Sequence, residues 1–159
     1  MIGVWGGGFR WSAWDVGGGE KLRPLWVMYA RATDGIVFVV DASSNNDLIE
    51  EARVELSRVI KASKLSSQSL NTSPPPVLVL ANFQDKSYAR GPEEVAIVLG
   101  LSEQWAAGIM WAVAPVCGLT GEGLDSALHT LRTLIDGSKK ERKKVERHTQ
   151  KKNPPRWRW

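Results

Sequence analysis

The sequence predicts an α/β fold in which a mostly parallel sheet is flanked by helices. Two apolar runs without polar alternation, Ile36–Val40 and Val77–Ala81, read as strands buried on both faces, the pattern of parallel sheets. Segments of helical period lie between and after them. Each run closes on a polar residue, Asp41 or Asn82, and the ends of strands are where such sheets bind ligands.

Taken in order, the first clear element is Phe9–Val16, with Ile2–Trp5 as a partner strand and Gly6–Gly8 as the hairpin turn. After Ile36–Val40, Asn46 or Asp47 caps a helix whose apolar residues Leu48, Ile49, Ala52, Leu56, Val59 and Ile60 recur at three and four. Ser63–Pro76 is rich in Ser, Asn and Pro and reads as a surface loop leading into Val77–Ala81. Glu93–Leu99 reads as a short helix behind Gly91-Pro92, and Ala112–Cys117 as a weaker strand interrupted by Pro115. Gly123–Ile135 closes the fold as a helix with Leu124, Leu128, Leu131 and Ile135 on one face.

With 159 residues the chain is long enough for one ordinary domain and too short for two. Its charge is split. Residues 1–138 carry 11 basic and 15 acidic side chains, whereas 139–159 carry 10 basic and two acidic ones. The net charge of +4 is therefore a property of the tail, and the body does not read as a nucleic-acid-binding surface. The longest apolar stretch, Gly108–Leu119, is too short and too interrupted to span a bilayer. No charged segment followed by an apolar core opens the chain, so a secretory leader is not expected. The single cysteine excludes an internal disulfide and supplies no zinc set, which suits a reducing, cytoplasmic compartment.

Three strand ends carry unusual residues: Asp15-Val16-Gly17-Gly18, Asn82-Phe83-Gln84-Asp85, and Cys117-Gly118-Leu119-Thr120-Gly121-Glu122-Gly123-Leu124. Each alone is ordinary turn chemistry. All three in this order, each closing a strand-like run, resemble the Ras-like small GTPases of the P-loop NTPase superfamily, and within them the ADP-ribosylation-factor-like family. Trp14–Trp26 resembles that family's second switch, and the likeness continues through Tyr29, Thr33-Asp34-Gly35, Ile36–Asp41 and Glu50-Glu51-Ala52. The wording Glu20-Lys21-Leu22-Arg23-Pro24-Leu25-Trp26 followed by Thr33–Asp41 is most similar to the Arf-like-four subgroup, which also ends in a basic tail. The resemblance covers roughly residues 9–136.

The resemblance implies GTP or GDP with Mg2+ as cofactors, contacted by Asp15, Gly18, Asn82, Gln84, Asp85, Cys117 and Gly118. Asp15 would order the magnesium shell through water. Gly18 would turn its N–H to the γ-phosphate at a position where a side chain blocks approach. Asp85 would accept from the ring and exocyclic nitrogens of guanine, a pattern adenine lacks; Asn82 would orient that loop, and the Gly118 N–H would meet guanine O6. Cys117 reads as a buried strand residue rather than a nucleophile.

Departures from the family pattern matter as much. Gly19 stands where the family places its water-positioning glutamine, so hydrolysis is expected to be slow and no catalytic residue is assigned. Phe83 replaces the lysine that usually follows the asparagine; it offers a ring to the base but no ammonium, so affinity is expected to fall. No Gly-x-x-x-x-Gly-Lys-Ser/Thr occurs anywhere in the chain. The phosphate cradle, its lysine and the magnesium-binding hydroxyl are therefore missing. The family's central strand goes with them, leaving two sheet edges to pair or cover. The chain reads as an N-terminally truncated Ras-like domain over residues 1–137 followed by a basic tail at 138–159.

Lys139, Lys140, Arg142, Lys143 and Lys144 are a cluster suited to anionic lipid or to an importin, unless the tail is only a solvated extension of the last helix. Arg156-Trp157-Arg158-Trp159 adds rings suited to a membrane interface. No specific nucleic acid is expected, because no folded platform backs these residues. No acylation glycine or prenylation cysteine is encoded. Trp14, Leu25 and Trp26 flank the second switch and are candidates for effector contact as well as for packing; Trp105 and Trp111 read as packing.

The expected function is that of a GTP-binding switch in membrane traffic or signalling, weak in nucleotide binding and impaired in hydrolysis. Effectors, an exchange factor and an activating protein are implied by family. Expected locations are the cytoplasm, the inner face of the plasma membrane and the nucleus. The alternatives are a nucleotide-free interaction module, or an incomplete gene model with Met1 an internal start.

Overall fold

In a computed structural model of the chain, the structure describes residues 2–31, 33–69, 73–102 and 108–152, with side chains left aside at 68, 69, 142 and 144–152. Trp105, Trp157 and Trp159, the side chains of Arg142 and Lys144, and the arginines at 156 and 158 lie outside this description.

The hairpin forms as expected in place, with β1 (Ile2–Gly6) antiparallel to β2 (Phe9–Ala13). Gly7 and Gly8 turn it with φ of 57° and 76°, the double positive φ that a two-residue hairpin turn demands. β2 ends at Ala13 rather than Val16, so Asp15 lies in irregular chain. Helix α1 (Arg23–Ala30) follows, started by Pro24 in its first turn.

The main sheet has three parallel strands, β3 (Ile36–Asp41), β4 (Val77–Asn82) and β5 (Trp111–Pro115), in the order β3-β4-β5. β5 closes at Pro115 instead of Cys117, which leaves Val116 and Cys117 in the following loop. Alternation along β4 sorts the core into two layers. Val77, Val79 and Ala81 face α2 (Asn46–Ser69) and α3 (Pro92–Val98), packing with Leu56, Ile60, Val95 and Leu99. Leu78 and Leu80 face α4 (Leu124–Lys152), packing with Ala127, Leu131 and Ile135. A fully buried side chain such as Leu56 or Leu78 contributes roughly 1.5–3 kcal/mol.

Three expectations need correction. The cap of α2 is Asn45, whose Oδ1 accepts the Leu48 N–H at 3.0 Å, not Asn46 or Asp47. Ser63–Pro76 is not all loop, since α2 continues through Ser69. Ser63 and Ser67 are buried there, and the Ser63 hydroxyl donates to the Ile60 carbonyl at 2.9 Å. That local bond makes a serine-rich stretch compatible with a helix. Likewise α4 does not stop near Ile135 but runs through the basic segment to Lys152.

The hairpin is a separate two-stranded sheet, so β2 and β3 each present an open edge and no described strand lies between them. On β3, Val37 and Val39 share the α4 side with Leu78 and Leu80 yet remain 43% and 59% exposed. The hairpin sits on α4 instead: the Gly7 N–H donates to Asp125 Oδ1 at 3.0 Å, and Trp11 joins the α4 core cluster. No described helix is long and apolar enough to cross a membrane.

Candidate guanine-nucleotide site

Parallel pairing of β4 with β5 carries Asn82 and Pro115 to the same end of the sheet, so the loops that follow them meet. Asn82 Oδ1 accepts the Gly118 N–H at 2.8 Å. The Gln84 N–H donates to the Val116 carbonyl at 3.2 Å. Cys117 is buried, and its thiol donates to Asp85 Oδ1 at 3.4 Å. Gly123 lets the second loop close: its φ is 79°, and a Cβ there would stand 2.3 Å from the Pro115 carbonyl oxygen.

Asn82, Asp85, Cys117 and Gly118 are therefore brought together. Asp85 is exposed, and its second carboxylate oxygen has no partner among the described residues. Two details differ from the sequence reading. The Gly118 N–H assigned to guanine O6 is engaged by Asn82. The Gln84 side chain is turned inward, donating to the Arg90 carbonyl at 2.9 Å and the Ala81 carbonyl at 3.3 Å, so it tethers the loop.

Sequence reasoning missed the support beneath this loop. Lys86 places its Nζ 4.3 Å from the centroid of the Phe83 ring and donates to Ser43 Oγ at 3.0 Å. Ser43 donates through both N–H and hydroxyl to Asp41 Oδ1, at 2.9 and 2.6 Å. Partial burial of Asp41 opposes its charge, but the Ser43 hydrogen bonds and the Lys86 ammonium outweigh it and hold the carboxyl below its usual range. The available signal was a lysine directly after the Asn-x-x-Asp run.

The other half of the expected site stands apart. Asp15 is exposed, with no hydrogen bond or ion pair among the described residues. The loop after it is held by α1: Trp26 Nε1 donates to the Gly17 carbonyl and Arg23 Nε to the Gly18 carbonyl, each at 3.0 Å. Arg23 is itself paired to Glu51 at 2.5 Å, which raises its already high pKa. A Cβ at Gly19 would meet nothing within 4 Å, so crowding does not require glycine there. Trp14 is 57% exposed and rests on Tyr29 at 5.2 Å, Leu25 is exposed, and Trp26 meets Phe38 edge-on at 5.8 Å. Lys139, Lys140 and Lys143 are exposed on α4, Lys139 pairing with Asp34 at 3.2 Å.

The residues present fit a guanine base at the Asn82–Asp85 end. They do not fit triphosphate and magnesium equally well. A single carboxylate such as Asp15 holds Mg2+ only with phosphate oxygens and waters completing the shell. No described cluster of three or more His, Cys, Asp or Glu residues could hold a metal, and the chain has no phosphate-cradling motif. A concavity of about 710 Å³ along α2, lined by Arg53, Ser57, Arg58 and Lys61, shares no residue with these loops.

The model of the ADP-ribosylation factor family matches residues 4–135. Human ADP-ribosylation factor-like protein 4A is 40% identical over 139 residues, 87% of this chain and 63% of that protein. Mouse ADP-ribosylation factor-like protein 4D is 43% identical over 145 residues, 91% of this chain and 66% of that one. The chain thus spans less than two thirds of the length of these relatives. Among solved structures, the Arl6 BBS3 small GTPase of Trypanosoma brucei, with bound nucleotide analogue GppNp, superposes with a TM-score of 0.67 at 24% identity. That match covers 77% of this chain and 70% of the other and shows a shared Ras-like fold.

Proposed function

The chain belongs to the ADP-ribosylation factor family, and from that premise we propose that it is an Arf-like guanine-binding protein with weak nucleotide binding and impaired GTP hydrolysis. One observation carries this reading: Asn82, Asp85, Cys117 and Gly118 are assembled at the ends of β4 and β5. These groups would read a guanine base, and residues 1–159 contain no Gly-x-x-x-x-Gly-Lys-Ser/Thr run to cradle phosphates. Gly19 cannot orient an attacking water, so bound GTP would be hydrolysed slowly.

Titration with a fluorescent GTP analogue and Mg2+ tests it. The expected dissociation constant is micromolar or weaker, about −8 kcal/mol or less in binding energy. Sub-micromolar affinity would overturn the weak-binding reading, and no binding at high micromolar would retire the switch. By family resemblance the proposed setting is membrane traffic or signalling, with effectors, an exchange factor and an activating protein as partners. The basic face of α4 would reach anionic lipid or an importin, at the inner plasma membrane or in the nucleus.

A second reading, a nucleotide-free interaction module, is favoured by one contact pair. Trp26 and Arg23 of α1 fasten the Gly17 and Gly18 carbonyls through the chain's own side chains. Effector capture indifferent to nucleotide, and lost in Leu25→Ala or Trp26→Ala, would support it; capture that requires GTP would exclude it.

A further inference from the structure

One face of α2 carries its charges in two blocks about a single apolar residue. Counted from Val54, Glu50 and Arg58 lie four residues to either side, and Asp47 and Lys61 seven. Offsets of four and seven return to the same side of a helix, so these five residues form one stripe. The opposite face is given to the core through Ile49, Leu56 and Ile60. All five residues of the stripe are exposed, Val54 by 46%. Two ordinary reasons for such charges do not cover the pattern. The helix dipole favours Asp47 in the first turn, but no basic residue lies in the last turn, and Lys61 stands eight residues before Ser69. Ion pairs within the helix join Glu50 to Arg53 and Glu55 to Arg58, yet the Glu50 and Arg58 side chains stay 55% and 57% exposed, and such pairs are weak. Asp47 and Lys61 have no side-chain hydrogen bond or ion pair among the described residues.

We propose that this stripe docks a second copy of the chain, the two α2 helices packing antiparallel about a two-fold axis at Val54. A two-fold contact requires a surface complementary to itself. Reversal about Val54 sets Asp47 of one copy against Lys61 of the other and Glu50 against Arg58, each pairing twice, with the Val54 side chains meeting at the centre. A parallel pairing in register would set like charge against like. A surface of uniform negative charge, such as an anionic membrane or an acidic peptide, suits Arg58 and Lys61 but meets Glu50 only about 12 Å along the axis from Arg58. A concavity beside the basic half, lined in part by Val54, Ser57 and Lys61, gives the approaching helix a recess. One helix face buries less than a standard interface, so the dimer is weak, and its charged pairs make it sensitive to salt. The stripe shares no residue with the loops after β4 and β5, so the contact does not depend on the guanine-binding reading.

Sedimentation equilibrium of the full chain tests the proposal. At about 20 mM salt the expected monomer–dimer dissociation constant is about 10–100 µM, weakening at least about tenfold at about 0.5 M salt. Lys61→Glu and Asp47→Lys should each be monomeric, because each sets like charges together at both ends of the contact. Their equimolar mixture should dimerise again, since each variant supplies the charge that the other lacks, and this restored pairing shows that both variants fold. Val54→Cys should form an interchain disulfide with oxidised glutathione, whereas Ile97→Cys, at a site 75% exposed on α3, should not. A chain that stays monomeric at about 200 µM in low salt would overturn the proposal. So would a dimer that Lys61→Glu leaves intact, variants that fail to pair when mixed, or Val54→Cys cross-linking no faster than Ile97→Cys. Monomers that bind phosphatidylserine vesicles, with binding lost in Lys61→Glu, would assign the basic half of the stripe to a membrane and overturn it equally.

Discussion

Asn82 and Gly118 are joined across 36 positions of sequence by one hydrogen bond, amide Oδ1 to backbone N–H at 2.8 Å. That bond ties the loop after β4 to the loop after β5. Removing it in Asn82→Ala leaves an exposed N–H that water can satisfy, so the expected loss in a urea melt is about 0.5–1.5 kcal/mol. Guanosine binding should suffer more than stability does, because the loop bearing Asp85 loses its register with Cys117. A loss of stability with unchanged binding would show the bond to be structural only.

Trp26 is expected to hold the glycine loop through its indole N–H rather than through its bulk. Trp26→Phe keeps an aromatic edge for Phe38 and removes the donor to the Gly17 carbonyl. Stability should fall by about 1 kcal/mol, and amide exchange should quicken at Leu22, whose N–H bonds the Gly19 carbonyl at 2.8 Å. Unchanged exchange there would leave Arg23 as the sole fastening.

Leu78 and Val39 lie on the same side of the main sheet, one covered by α4 and the other bare at the β3 edge. Leu78→Ala should cost about 2–5 kcal/mol in denaturant unfolding. Val39→Thr should change stability by no more than about 0.5 kcal/mol. A large effect at Val39 would mean that this edge is covered in solution.

How far the sequence foretold these relationships depends on how far along the chain each one reaches. β3 and β4 were legible because Ile36–Val40 and Val77–Ala81 are unbroken apolar runs, and Gly7 and Gly8 marked the hairpin. α2 beyond Ser63 was not legible, because a serine that bonds its own i−3 carbonyl looks like loop composition until the helix exists. α1 was read only as part of a switch, its eight residues being too few for periodicity to declare a helix. At the site, the Asn82 and Asp85 positions were legible as a motif. The Lys86–Ser43–Asp41 chain was not, since it joins two strand ends through a register that only the folded sheet provides.

Asp41 gives that chain a pH dependence with a definite sign. Its folded-state pKa lies below the usual carboxylate value, so its contribution is fully present above roughly pH 4 and is lost as the pH falls through the lowered folded value. Thermal melts of the unaltered chain should therefore decline below about pH 4, and Asp41→Asn should flatten that decline. A variant that declines as steeply as the parent would place the acid sensitivity on other carboxylates.

Gly137 lies inside α4, between the core-facing Leu134 and the exposed Lys139. A glycine in a helix interior costs about 0.8–1.0 kcal/mol relative to alanine. The Cβ of Gly137→Ala would meet Met110 Cε at 2.7 Å and Sδ at 3.2 Å, which on a rigid neighbour would be prohibitive. The neighbour here is the far end of an unbranched thioether on a residue 39% exposed, and it has room to turn aside. Propensity should therefore win over contact, and Gly137→Ala should raise stability by up to about 1 kcal/mol and strengthen the helical signal at 222 nm. Destabilisation in place of this gain would show that Met110 is fixed where it stands, and that glycine is kept to let α4 pass close to the chain entering β5.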